Sequence, residues 1–111
     1  MNRTNNIKKN EEYREVYNCG KSMANRLLII YFKKNDRKEN KIGFTVSKKV
    51  GKSVVRNRVR RLLKESYRLN YEKMKKGYDI VFIARKNACN SSFKEVQSAM
   101  VHLLRKKKLF K

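Results

Sequence analysis

Three observations predict an α+β sandwich, a single domain in which helices pack a central, mostly antiparallel sheet. Stretches with helical and strand periodicity succeed one another in the order helix, strands, helix, strand, helix. The length of 111 residues suits one hydrophobic core and is too short for two. No Pro-rich or Gly-rich linker divides the chain: proline is absent, glycine numbers 4, and no internal repeat is visible. One unit spanning 1–111 is therefore predicted, with residues 1–8 as a basic, flexible arm.

After the arm, Asn10 is placed to cap a short helix, with Glu11 and Glu12 at the positive end of its dipole and Gly20 available to stop it. Tyr13, Val16 and Tyr17 then share one face. Leu27 to Phe32 is apolar at every position, the pattern of a strand covered on both faces, and the polar run Lys33 to Lys41 reads as a turn region. Ile42 to Ser47 alternates, so these two strands are predicted to pair as a hairpin. Ser53 is placed to cap the next helix, which continues toward Met74 before Gly77 breaks it. Asp79 to Ala84 is a further buried strand. Ser92 and Glu95 form a capping box that opens an amphipathic helix with Phe93, Val96, Met100, Leu103 and Leu104 inward. Phe32, Phe44 and Phe82 are also assigned to the core.

Charge narrows the function. Lys plus Arg total 31 against 9 Asp plus Glu, a formal charge of +22, and the isoelectric point is about 10.4. Such a chain folds against its own repulsion, which a phosphate backbone would relieve while releasing condensed counterions. Nucleic acid is thus favoured over a membrane surface. No apolar run is long enough to span a bilayer, and Met1 to Asn6 leads into charged residues, so a cytoplasmic setting without a membrane partner is expected. Cys19 and Cys89 lack zinc-site spacing and are expected to be reduced thiols.

The charge is most concentrated in the helix predicted from Ser53. At about 100° per residue, Val55, Val59, Leu62, Leu63 and Ser66 fall on one side, while Asn57, Arg60, Arg61, Lys64 and Arg68 gather on the other and Arg56 and Arg58 flank them. A face built only for solubility would mix signs, because like charges one turn apart are mildly destabilising. Within residues 53–68, Glu65 is the single carboxylate, off to the side, and arginine, whose planar fork suits phosphate, predominates. Nucleic-acid contact is the favoured reading. Tyr13, Tyr17 and Tyr31 fit either a core or a row of rings that stacks on unpaired bases beside a cationic surface.

Catalytic constellations are not visible. The one histidine, His102, is expected to be exposed near a basic helix end, and a nuclease needing two imidazoles is excluded by count. The carboxylates form no acidic-x-acidic pair suited to a two-metal site, which leaves a protein nuclease a poor reading.

The run Val46-Ser47-Lys48-Lys49-Val50-Gly51-Lys52-Ser53-Val54-Val55-Arg56-Asn57-Arg58-Val59-Arg60-Arg61-Leu62 resembles the signature of the bacterial ribonuclease P protein subunit, including its Arg-Asn-Arg motif. The resemblance extends to Lys9 to Tyr13, Ala24 to Arg26, Ile83 to Lys86 and His102 to Lys106, and so covers nearly the whole chain. It implies a small basic subunit of ribonuclease P, an endoribonuclease of tRNA 5′ maturation. In that family a catalytic RNA holds the Mg2+ ions and removes the single-stranded 5′ leader of precursor tRNA. It also implies a left-handed βαβ crossover around the signature helix. Carried over by position, Lys48, Lys49, Lys52, Arg56, Asn57, Arg58 and Arg61 match the surface that binds the catalytic RNA. Tyr13, Tyr17 and Tyr31, with Arg60 and Lys64, match the leader cleft. Phenylalanine is common at the first two cleft positions, so tyrosine here keeps the ring and adds a hydroxyl. No catalytic group and no metal ligand is implied in the protein itself. The alternative is a structural RNA-binding protein of ribosomal type.

Overall fold

The structure is a computed structural model that describes residues 5–111, so residues 1–4, the first half of the predicted arm, lie outside the described residues. Five strands form one sheet: β1 (Asn5–Asn6), β2 (Lys21–Ala24), β3 (Leu28–Lys34), β4 (Lys41–Thr45) and β5 (Tyr78–Ala84), in the spatial order β1-β4-β5-β3-β2. Three helices pack on it: α1 (Asn10–Cys19), α2 (Ser53–Asn70) and α3 (Phe93–Lys106). The predicted α+β class is the observed one.

The predicted hairpin between residues 27–32 and residues 42–47 does not form. β5 stands between β3 and β4, antiparallel to β3 from Leu28↔Ala84 to Lys34↔Tyr78 and parallel to β4 from Lys41↔Asp79 to Thr45↔Ile83. The physical reason lies in β5, where Ile80, Val81 and Phe82 are all buried. A strand apolar on both faces is best placed where both of its edges are paired. The β4 and β5 strands are thereby parallel neighbours joined through α2, a βαβ unit. Two short edge strands escaped the sequence reading: β2, antiparallel to β3, and β1, which pairs with β4 and brings Ile7 into the core at 5% exposure.

The main core lies between one face of the sheet and helices α2 and α3. Leu28, Ile30 and Phe32 of β3 and Ile80, Phe82 and Ala84 of β5 meet Val59, Leu63 and Tyr67 of α2 and Val96, Met100, Leu103 and Leu104 of α3. Burying such side chains contributes roughly 1.5–3 kcal/mol each. Phe93, expected inside, is only half-buried at the start of α3. On the opposite face, α1 buries Val16 against Ile7 and Val81, with Tyr13, Tyr17, Tyr31 and Ile83 around them.

Helix ends explain two further departures. Asn10 and Ser53 are the first helical residues and not caps; Lys9 and Lys52 occupy the cap positions in extended conformation. In α1 the capping work passes to Glu12, whose Oε1 accepts from the backbone N–H groups of Lys8 at 3.1 Å and Lys9 at 3.2 Å. The Ser92 and Glu95 box forms as predicted, with Glu95 N donating to Ser92 Oγ at 3.2 Å and Ser92 N to Glu95 Oε1 at 2.9 Å. α3 ends in a Schellman turn: Leu109 N donates to Leu104 O at 2.9 Å and Lys108 N to Arg105 O at 3.1 Å. Lys108 sits at the left-handed position with φ 58, where glycine is usual.

Candidate nucleic-acid interface

The loop Ser47–Gly51 leads into α2 and is pinned by Val50, which is 5% exposed, and by Val50 N donating to Ser47 O at 3.0 Å. That anchor leaves Lys48, Lys49 and Lys52 exposed. Within α2 the apolar side is as the helical period requires: Val59, Leu63 and Ser66 are buried and Val55 and Leu62 pack against them. Arg61, Lys64 and Asn57 are exposed on the other side.

The arginines of the motif are not equivalent. Arg56 Nε donates to Gly51 O at 3.2 Å and its Nη2 to Ser53 Oγ at 3.2 Å, so it braces the entrance loop. Arg58 reaches across to the 3-10 turn Lys86–Asn90 and its exit, donating to Cys89 O at 3.4 Å and to Ser91 O at 2.5 Å. Its charge is half-buried and spent on backbone carbonyls. Arg60 Nη1 donates to Asn57 Oδ1 at 3.1 Å. At the far end Arg68 forks onto Glu65 at 3.0 and 2.6 Å. The unbalanced cationic ridge therefore runs from the loop lysines through Arg61 to Lys64.

The three tyrosines assemble on the α1 face of the sheet. Tyr17 meets Tyr31 edge to face at 4.9 Å between centroids, and Tyr13 lies 6.3 Å from Tyr17. All three are half-buried, an arrangement with rings fixed from below and open from above. Gly43 of β4 makes this possible. A Cβ there would stand 2.7 Å from the Tyr13 hydroxyl and 2.8 Å from its ring. Burial, with Tyr17 and Glu12 adding to it, raises the Tyr13 hydroxyl pKa, while the charge of Arg60 pulls it down. The positive charge of Arg60 on α2 is thus felt at Tyr13 of α1. Tyrosine 13 keeps its proton at neutral pH and can donate.

α1 is held at its angle by Glu12, paired with Lys41 of β4. The ion pair with Lys41, followed by the Lys9 and Lys8 backbone N–H groups, lowers the Glu12 carboxyl to a pKa of about 2. Among the described residues no three His, Cys, Asp or Glu side chains come together as metal ligands. His102 is exposed, with Nδ1 3.1 Å from Asn25 Nδ2. No helix among the described residues is long and apolar enough to cross a membrane.

Comparison with known proteins gives one consistent result. A family model described as Ribonuclease P matches residues 1–108. The Ribonuclease P protein component of Alkaliphilus oremlandii is 59% identical over 98% of this chain and 96% of its own length. That of Alkaliphilus metalliredigens is 61% identical over 98% of both. The solved structure of the Staphylococcus aureus RNase P protein superposes with a TM-score of 0.88 at 32% identity, covering 96% of this chain and 97% of that one.

Proposed function

This chain belongs to the ribonuclease P protein family, and from that premise we propose that it binds the ribonuclease P RNA through α2 and its entrance loop while its tyrosine cleft receives the 5′ leader of precursor tRNA. The observation that carries the proposal is the row of half-buried rings of Tyr13, Tyr17 and Tyr31 on the same small domain as the exposed cations Lys48, Lys49, Lys52, Arg61 and Lys64. Phosphates favour the ridge, and unpaired bases favour open aromatic faces. Lys48, Lys49, Lys52, Asn57 and Arg61 contact the RNA subunit, Arg56 holds the loop that presents the lysines, and Arg58 braces the helix. Tyr13, Tyr17 and Tyr31 pack against leader bases, with Arg60 and Lys64 taking leader phosphates.

Chemistry is assigned to the RNA. In this reading the RNA holds the Mg2+, and the protein's part is to bind, orient and neutralise. It strengthens precursor binding and lowers the magnesium the RNA needs to hydrolyse the bond at the 5′ end of the mature tRNA. A cytoplasmic ribonucleoprotein endonuclease of tRNA maturation is the resulting assignment.

The test adds the purified protein to ribonuclease P RNA at magnesium too low for the RNA alone and follows leader removal. Stimulated cleavage at the mature 5′ end is expected. RNA binding without any stimulation would instead place the chain with structural RNA-binding proteins of ribosomal type.

A further inference from the structure

A second cationic surface lies at the opposite end of the sheet from the α2 entrance loop. A recess of about 460 Å³ opens where β3 ends and β5 begins. Lys21 enters it from β2, Lys33 and Lys34 from β3, Lys75 from the segment before β5, and Lys106–Lys108 from the end of α3; no carboxylate lines it. Phe32 and the half-buried Tyr78, their rings 6.2 Å apart, lie among these lysines. A solvated surface would intersperse acidic residues among so many ammonium groups.

The backbone holds this cluster in place. Lys75 N donates to Leu109 O at 2.7 Å, and Lys111 N to Lys73 O at 2.8 Å, so the C-terminal tail is tied to the segment that carries Lys75. Lys108 occupies the left-handed position of the Schellman turn, among the described residues the one non-glycine with positive φ. A lysine is held there against its backbone preference, beside Lys106 and Lys107.

We propose that this recess is a second site for the phosphate backbone of the ribonuclease P RNA, an inference that rests on reading the chain as a subunit of that ribonucleoprotein. Position favours the RNA subunit over the leader. The recess, walled on one side by Cys19 and Gly20 at the end of α1, lies at the opposite end of β4 and β5 from the α2 entrance loop, since Tyr78 begins β5 and Ser53 follows the end of β4. A large folded RNA can engage both ends of a body measuring 36 × 28 × 25 Å. Lysine point charges supply contacts that are neutral to sequence, and Tyr78 offers a ring to one unpaired base.

The experiment compares a recess variant, carrying Lys33→Gln, Lys34→Gln, Lys106→Gln and Lys108→Gln, with a control of equal net charge. The control carries Lys38→Gln, Lys73→Gln, Lys94→Gln and Lys111→Gln, all at exposed positions. Both are checked for parental circular dichroism and titrated with ribonuclease P RNA across salt concentrations. The recess variant should lose about tenfold or more in affinity, and its log-log salt slope should fall by about 3, at roughly 0.7–0.9 per phosphate contact. The control should stay near the parent. Equal losses in both variants, or no loss in either, would overturn the inference alone. So would a loss seen only with precursors carrying long leaders, which would make the leader the occupant. A parent protein that does not bind the RNA at all overturns the subunit reading and this inference with it.

Discussion

Gly43 lies beneath the ring of Tyr13, so close that a Cβ at position 43 would stand 2.7 Å from the phenol oxygen and 2.8 Å from the nearest ring carbon. The cleft's first ring therefore rests directly on the backbone of β4. Gly43→Ala should lift it, at about 1–3 kcal/mol for an overpacked site. Tyr13→Ala in the same chain should recover most of that loss. Denaturant unfolding of both single variants and the double variant measures the coupling, and additive effects would show that the ring does not rest on position 43 in solution.

Arg58 and Arg61 should separate stability from binding. Arg58→Ala removes charged hydrogen bonds to Cys89 O and Ser91 O and should cost about 1–3 kcal/mol of folding stability. Arg61 is exposed. Arg61→Ala should leave the melting temperature unchanged while weakening RNA binding and reducing its salt dependence.

The pH dependence of folding should carry the mark of Glu12. Its carboxyl titrates near 2 when folded and near the ordinary 4.5 when not, so its contribution is complete above pH 4.5 and disappears as pH falls toward 2. With solvent screening that contribution is about 1–2 kcal/mol. Glu12→Gln should lower stability at neutral pH by this amount and make the decline below pH 4.5 shallower than the parent's. Chemical unfolding at a series of pH values checks both.

Tyr17→Ala and Tyr31→Ala should each weaken precursor tRNA binding by the assembled enzyme by roughly 1–3 kcal/mol per stacked base. Mature tRNA, lacking a leader, should bind as before. Equal weakening of both would remove the leader from the cleft. Circular dichroism must match the parent's, because Tyr17 and Tyr31 also support one another edge to face.

Lys108→Gly should stabilise the fold. Its φ of 58 suits glycine, and the left-handed conformation costs a residue with a Cβ about 1 kcal/mol. A raised melting temperature is expected, and a lowered one would show that the lysine side chain makes up the difference elsewhere.

What the sequence makes legible follows from the range of the forces involved. The faces of α2 and α3 are readable because period and capping act within a few residues: Val59 and Leu63 turn inward, and Ser92 meets Glu95 as the spacing requires. The order of the strands is not. β3 and β4 are neighbours in the chain, and only the pairing of Leu28 with Ala84 and of Ile42 with Ile80 reveals that β5 divides them. In the cleft, Tyr13 and Tyr17 share a helical face by spacing, whereas Tyr31 joins them through its place on β3. The seat at Gly43 has no local signature. Arg58 sits on the flank of the helical wheel, and its carbonyl partners come from Cys89 and Ser91, more than thirty residues away, where no periodicity can point.

The position of β5 has a consequence for biosynthesis. The ribosome delivers β3 and β4 well before the strand that joins them, so until Tyr78 to Ala84 emerges the nascent chain carries apolar strands with open edges. Those are the conditions under which neighbouring nascent chains pair with one another. α2 can form meanwhile from local contacts, while sheet closure waits on contacts of long sequence separation and sets the pace. The first 77 residues already hold 23 Lys and Arg against 7 Asp and Glu, and this net charge of +16 acts during that interval as mutual repulsion between copies. The surplus of lysine and arginine keeps the half-made protein dispersed before there is any RNA surface for it to meet.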